Sequence, residues 1–202
     1  MKKTFLLLSM AVFAFLSTQA AASLITIEQR TIDAPINDTD FAGSWLAQTT
    51  TISSSTPASF TNYFTGNNVI ARATIDFTAG TGWGFQAGLD GGYGAAFYLD
   101  GSLIENRTDD LWWSNNWNSA DVISTLGNTI SAGAHVLELY WAEGCCSGAN
   151  SARFTTDGGT TWQTLSVANL DAAAPVPAPS VVSLLALGLL GLVASRRLNG
   201  NV

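Results

Sequence analysis

His135-Val136-Leu137-Glu138-Leu139-Tyr140-Trp141 is the clearest strand in this 202-residue chain. Its side chains alternate as an extended segment requires, and Ser131-Ala132-Gly133 turns the chain just before it. Working outward, the same two-residue alternation recurs. Val69 to Phe77 reads as a strand that Gly80-Thr81-Gly82 breaks. Trp83 to Gly88 is a second, followed by the turn Asp90-Gly91-Gly92. Gly94 to Leu99 is a third, closed by the hairpin signal Asp100-Gly101, with Ser102 to Glu105 returning. Ala152 to Thr155 and Thr161 to Leu165 form a last hairpin. Residues 46–62 are Ser/Thr-rich and fit either strand or loop. Asp121 to Leu126 fits a strand or a short turn of helix. No stretch has a sustained helical period. Short strands with frequent Gly-rich turns predict an all-β fold, an antiparallel β-sandwich.

The two ends stand apart from this pattern. Met1-Lys2-Lys3, the apolar run Phe5 to Leu16 and Ala20-Ala21-Ala22 make a secretory signal peptide over residues 1–22. At the other end, Pro175-Val176-Pro177-Ala178-Pro179 breaks the chain. From Val181 to Val193 there is no charge, and only Ser183 is polar. Residues 180–197 are therefore expected to form a C-terminal transmembrane helix with a basic stop, although the run is short against the roughly 17–25 residues of a usual span. Arg196 and Arg197 would lie on the cytoplasmic side, which leaves everything before Pro175 outside the cytoplasm. Between the ends lie a β-sandwich domain at 23–170 and an Ala/Pro linker at 171–179.

All fifteen acidic residues fall in the middle. Only four basic residues join them, Arg30, Arg72, Arg107 and Arg153, for a net charge of about −11. Such a surface repels nucleic acid and anionic membranes, so no nucleic-acid partner is expected. It suits neutral ligands and divalent cations.

The order of the tail's three parts resembles a PEP-CTERM sorting signal: the motif residues Val176, Pro177 and Pro179, a short Leu/Gly-rich span, then Arg196-Arg197. Ala178 stands where that family usually has Glu. The resemblance implies a bacterial export substrate held transiently in the inner membrane. It also implies a membrane-embedded protease of the exosortase type as partner, and a final place on the cell surface or in the extracellular matrix. An ordinary single-pass anchor that is never cut is the alternative. Cys145-Cys146-Ser147-Gly148 beside such a tail resembles a recurrent Cys-Cys-x-Gly subgroup of these proteins.

Phe97-Tyr98-Leu99-Asp100-Gly101, followed after a gap by Ile130 to Trp141, resembles the β-sandwich lectin family of anthrax protective antigen and yeast flocculins. That family implies a lectin-like sandwich and a structural role for His135. Its sugar-binding members hold calcium with adjacent aspartates in an Asp-Asp-Gly loop. Here the matching place reads Leu89-Asp90-Gly91, with one carboxylate missing.

The loop 109–118 carries the candidate site. Trp112, Trp113 and Trp117 offer aromatic faces for sugar C–H groups, and Asn115, Asn116 and Asn118 offer bonds to hydroxyls. Asp109 and Asp110 would suit a hard cation, calcium above all. The alternative is that one or two of these tryptophans anchor the loop to the sandwich. Cys145 and Cys146 are expected to be oxidised in an exported protein, either as a strained ring between neighbours or as two bridges to other molecules. Thr155 to Trp162 fits the Asp-box pattern Ser/Thr-x-Asp-x-Gly-x-Thr-Trp, which is read as a folding device. No nucleophile-elbow or zinc-protease motif occurs, and nothing pairs Glu105, Glu138 or Glu143 across a cleft. The expected function is non-enzymatic binding of extracellular polysaccharide in adhesion or biofilm. The rivals are a ligand-free matrix protein and a glycan-processing enzyme.

Overall fold

The computed structural model describes residues 22–175. In chain order the elements are β1 (Leu24–Thr31), α1 (Phe41–Ala47), β2 (Thr51–Ser55), β3 (Tyr63–Phe64), β4 (Val69–Ala79), β5 (Gly84–Gly88), β6 (Asp90–Gly91), β7 (Ala95–Leu99), β8 (Ser102–Arg107), β9 (Leu111–Trp112), β10 (Val122–Ser124), β11 (Gly133–Glu143), β12 (Ala149–Thr155), β13 (Gln163–Thr164) and α2 (Val167–Ala173). One antiparallel sheet has six strands in the order β2-β1-β4-β11-β7-β8. The opposing sheet runs β10-β5-β12-β13, with β3 pairing β12, and β6 pairs β9 separately.

Alternation builds both layers. In β4, Ala71, Ala73, Ile75, Phe77 and Ala79 point between the sheets, as do Leu137, Leu139 and Trp141 from β11 and Phe97 from β7. They meet Phe85, Ala87 and Phe154 of the other sheet, and Trp83 from the turn before it. Phe77 stacks on Trp83 at 5.5 Å, and Trp83 on Phe154 at 5.2 Å, closing an aromatic core. Truncating a fully buried ring such as Phe97 to alanine would cost about 3–5 kcal/mol.

The alternate residues of the large sheet face outward, yet Ile70, Ala96, Tyr98 and Tyr140 are buried there. Helix α1 covers them with Phe41 and Trp45. Asp40 caps this helix by accepting from the Gly43 N–H at 2.8 Å, and the Arg30 and Arg72 guanidinium groups lie over the Trp45 ring at 4.2 and 4.9 Å.

The strands expected from alternation all form, and 46–62 contributes β2. Three features differ from expectation. Strand β1 was not foreseen. Two helices of seven residues each exist where no helical period was read, because about two turns are too short to show one. Asp171 to Ala173, read as the start of a linker, form the last turn of α2, and Asp171 Oδ1 accepts from the Ser23 N–H at 2.7 Å. This bond joins the two ends of the described chain, and Pro175 lies beside Gly80 just past β4. Among the described residues, no helix is long and apolar enough to cross a membrane. Residues 1–21 of the expected signal peptide lie outside the described residues. So do the expected helix 180–197 and the sorting residues Val176, Pro177, Pro179, Arg196 and Arg197.

Candidate functional site

The loop that holds the tryptophans begins as a strand. Leu111 and Trp112 of β9 pair with Gly91 and Asp90 of β6, where a long irregular loop had been expected. The Trp113 N–H then donates to the Leu89 carbonyl at 3.1 Å. Its indole lies so close against Gly88 that a Cβ there would clash with the ring. Trp113 is only 3% exposed. It is the anchor of the loop.

After Trp113 the chain reverses. Ser114 and Asn115 take left-handed backbone angles, with φ of +54° and +58°. The Asn116 N–H returns to the Trp113 carbonyl at 3.0 Å, and Asn116 Oδ1 accepts from the Asn118 N–H at 3.0 Å. Asn116 therefore spends its side-chain oxygen on the turn. The reversal brings Trp117 back onto Trp113, with ring centroids 4.7 Å apart. Trp112, by contrast, is 58% exposed. Asn115 and Asn118 are exposed as well.

The ends of the loop are stapled. Arg107 donates through Nε to Asp109 Oδ1 at 2.7 Å and through Nη1 to the Ala120 carbonyl at 2.9 Å. The Arg107 hydrogen bond holds the Asp109 carboxyl below its ordinary range. Asp109 thus has a fixed partner in Arg107, while Asp110 is exposed. Among the described residues, no group of three or more His, Cys, Asp or Glu is arranged to hold a metal ion.

Two cavities adjoin the anchored indole. The larger, 360 Å³, is lined by Trp113, Asn115 and Trp117 on one side and by Asn62, Arg153 and Trp162 on the other. The smaller, 150 Å³, lies between Trp112, Trp113, Asn115, Asp90 and Gly148. Sequence reasoning did not join Arg153 and Trp162 to the site. In the larger cavity the Arg153 guanidinium lies between the rings of Trp117 at 4.3 Å and Trp162 at 4.5 Å. Its Nε and Nη2 donate to Gln86 Oε1 at 2.9 and 2.6 Å, a pair set by the β5–β12 register. Alternation places both residues on the outer face of their strands. The pairing of the two strands was what the sequence did not disclose.

The Asp-box turn aims Trp162. Asp157 accepts from the Thr161 N–H at 2.9 Å, from the Thr161 hydroxyl at 2.6 Å and from the Thr155 hydroxyl at 2.7 Å. These bonds, led by Thr161, push the Asp157 carboxyl down to about 2. Gly158 and Gly159 supply the positive φ of the turn. Trp162 lies beside Gly159 of its own turn and under the Arg153 guanidinium.

In the smaller cavity, Asp90 is 6% exposed, and its Oδ2 has no hydrogen-bond partner among the described residues. Burial first, then the nearby charges of Glu143 and Asp110, raise its carboxyl to about 6. Glu143, also buried, accepts from the Gly92 N–H at 2.9 Å and the Cys145 N–H at 2.7 Å. Glu138, on the same strand β11, sits with Arg72 and Tyr140 on the outer face of the sheet, so these two carboxylates are engaged in separate places.

Cys145 and Cys146 follow as exposed, free thiols, and Cys146 takes a φ of +71°. The structure does not hold the expected ring, which would require geometry outside the usual disulfide range.

With this geometry in place, solved structures give a consistent comparison. The PA14 domain of the MpAFP antifreeze protein matches with a TM-score of 0.51 and 14% identity, over 74% of this chain and 90% of that one. The fold is similar to that of this PA14 domain. The A domain of epithelial adhesin 6 from Candida glabrata, solved in complex with Galb1-3GlcNAc, matches at TM-score 0.51 and 8% identity, over 76% of this chain and 88% of that one. An anti-sigma factor domain-containing protein matches at TM-score 0.50 and 9% identity, over 72% and 47%. At these identities the likeness is one of fold. No family model and no curated protein matches the chain.

Proposed function

We propose that this chain is an exported, non-enzymatic carbohydrate-binding protein with an adhesive role at the cell surface or in the extracellular matrix. One observation carries the reading. Trp113 pins an aromatic loop to a PA14-like sandwich and leaves Trp112, Asn115 and Trp117 at the rims of two open cavities. Aromatic surface beside amide groups is a good match to a sugar's alternating C–H and hydroxyl faces. The Candida glabrata adhesin domain of the same fold was solved with a disaccharide bound. The flanking segments support export: a signal peptide leads, and the tail sorts the chain through the inner membrane to an exosortase-type protease. Calcium at Asp109 and Asp110 is a weaker part of the reading, since Arg107 already occupies Asp109.

The test is a polysaccharide panel probed with the full chain and with Trp112→Ala/Trp117→Ala. We expect binding to at least one extracellular polysaccharide and its loss in the double variant. Undiminished binding by that variant would refute the site. Release of reducing sugar during incubation would favour an enzyme instead. Cell fractionation tests export, and an unprocessed chain in the cytosol would count against it.

A further inference from the structure

Arg153 is the one feature of the larger cavity that a neutral-sugar site does not account for. Among the described residues, each of the four arginines has a distinct environment. Arg72 pairs with Glu28, and Arg107 with Asp109. Arg30 is held by the Trp45 and Gln48 carbonyls at 2.9 and 3.1 Å. Arg153 has only the neutral Gln86 oxygen, which takes its Nε and Nη2. Its Nη1 has no partner among the described residues. Burial alone moves its pKa, downward, and no carboxylate offsets that cost. A guanidinium stays charged in such a setting. Stacking between Trp117 and Trp162 fixes its plane, and Gln86 fixes its rotation. What remains is a pre-oriented positive fork facing a 360 Å³ cavity in a domain of strong net negative charge.

An arginine that merely glued the hairpin to the loop would need no free edge. A guanidinium edge is matched best by a carboxylate or sulfate oxygen, at about twice the strength of a neutral hydrogen bond. Two amides, Asn62 and Asn115, line the same cavity and can take hydroxyls. The acidic surface elsewhere would exclude polyanions that lack this local contact. We infer that the larger cavity selects an acidic sugar, one carrying a carboxylate or a sulfate ester, with Arg153 Nη1 as the group that reads the anion. The inference rests on the carbohydrate-binding reading above and names the class of sugar.

The test uses the full chain and three probes of equal length: a tetragalacturonate, its neutral methyl ester, and a sulfated galactan tetrasaccharide. We expect one of the two anionic probes to bind about tenfold more tightly than the neutral ester, in line with a charged hydrogen bond, and the preference to shrink as salt rises. Whichever anion wins identifies the acid group. Arg153→Gln should erase the preference, so that anionic and neutral probes bind that variant alike. Arg153→Lys should keep part of it, because the charge survives and the planar fork does not. Equal affinity for all three probes would overturn the inference and leave sugar binding standing. A preference that persists in Arg153→Gln would overturn it as well. No binding to any probe or polysaccharide would overturn both readings. Unchanged thermal melting of Arg153→Gln guards against a folding artefact. If that variant melts early, Gln86→Leu, which frees the guanidinium from its rotational hold without removing it, should weaken anion preference alone, and a full preference there would overturn the inference.

Discussion

His135 Nδ1 lies 2.7 Å from Asp100 Oδ2, and Asp100 Oδ1 accepts from the Val136 N–H at 2.9 Å. Together these bonds tie the turn after β7 to the start of β11, two strands that pair along Leu137 to Trp141. The Val136 bond first, and His135 second, hold the Asp100 carboxyl below its ordinary value of 3.8. A depressed folded-state pKa gives stability that is present above the unfolded value and lost as pH falls through the folded one. Asp100→Asn keeps the left-handed turn, since asparagine tolerates φ near the +50° seen here. That variant should lower the melting temperature by about 2–4 °C at pH 7. The difference from the parent should vanish as the acid limb is approached. A constant difference at all pH values would mean the carboxylate charge is irrelevant.

Trp113 and Trp112 are neighbours with opposite tasks, and truncation should separate them. Trp113→Ala empties the space over Gly88 and should cost about 3–5 kcal/mol. Gly88→Ala pushes a methyl into the same indole and should cost about 1–3 kcal/mol. Trp112→Ala removes an exposed ring and should leave stability within about 0.5 kcal/mol. Chemical denaturation of the three variants checks the order. Equal losses for Trp112 and Trp113 would contradict the anchored geometry.

Asp90 should make the domain more stable in mild acid than its neighbours imply. Its carboxyl is raised to about 6 in the folded chain against 3.8 when free. A raised carboxyl pKa contributes stability below the unfolded value, lost as pH rises through the folded one, so the window is roughly pH 4 to 6. Asp90→Asn keeps the size and removes the titration. Urea unfolding from pH 4 to 7 should show the variant gaining on the parent across that window, with the larger advantage at pH 7. A parallel pair of curves would show that Asp90 titrates normally.

Asp157 supports Trp162 at a distance. Removing its carboxylate in Asp157→Ala frees the Thr161 N–H and both threonine hydroxyls. We expect faster hydrogen exchange at Thr161 and a weaker stack of Trp162 on Arg153, read as a red shift of that indole's fluorescence. Because the carboxyl sits at about 2, this support should persist down through pH 4 and fail only below it. Unchanged exchange at Thr161 would dissociate the turn from the cavity.

The sandwich could be read from the sequence because its strands carry period-two alternation with Gly-rich breaks, and β4, β7 and β11 show both. Strand β1 also alternates, through Ile25 and Ile27, but no Gly-rich break sets it apart from the leader expected to end at residue 22. The helices were invisible because they are short: α1 buries Phe41, Ser44 and Trp45, and α2 only Leu170. The candidate loop was visible from its composition. Which tryptophan anchors it was not, since Gly88 lies 25 positions earlier and only the fold brings it underneath. The same holds for Arg153 and Trp162: composition marks residue types, whereas the cavity depends on the β5–β12 register.

The bond between Ser23 and Asp171 has a consequence for orientation. Leu24 pairs with Asp76, and Pro175 sits by Gly80, so residues 22 and 175 both leave at the Ala79 end of β4. The tryptophan loop and Asp90 gather at the other pole, where Glu143 pairs with Val69. Eleven strand residues separate the poles, about 35 Å at 3.3 Å each. Both exits of the described chain therefore lie at the opposite end of the long strand from the aromatic loop.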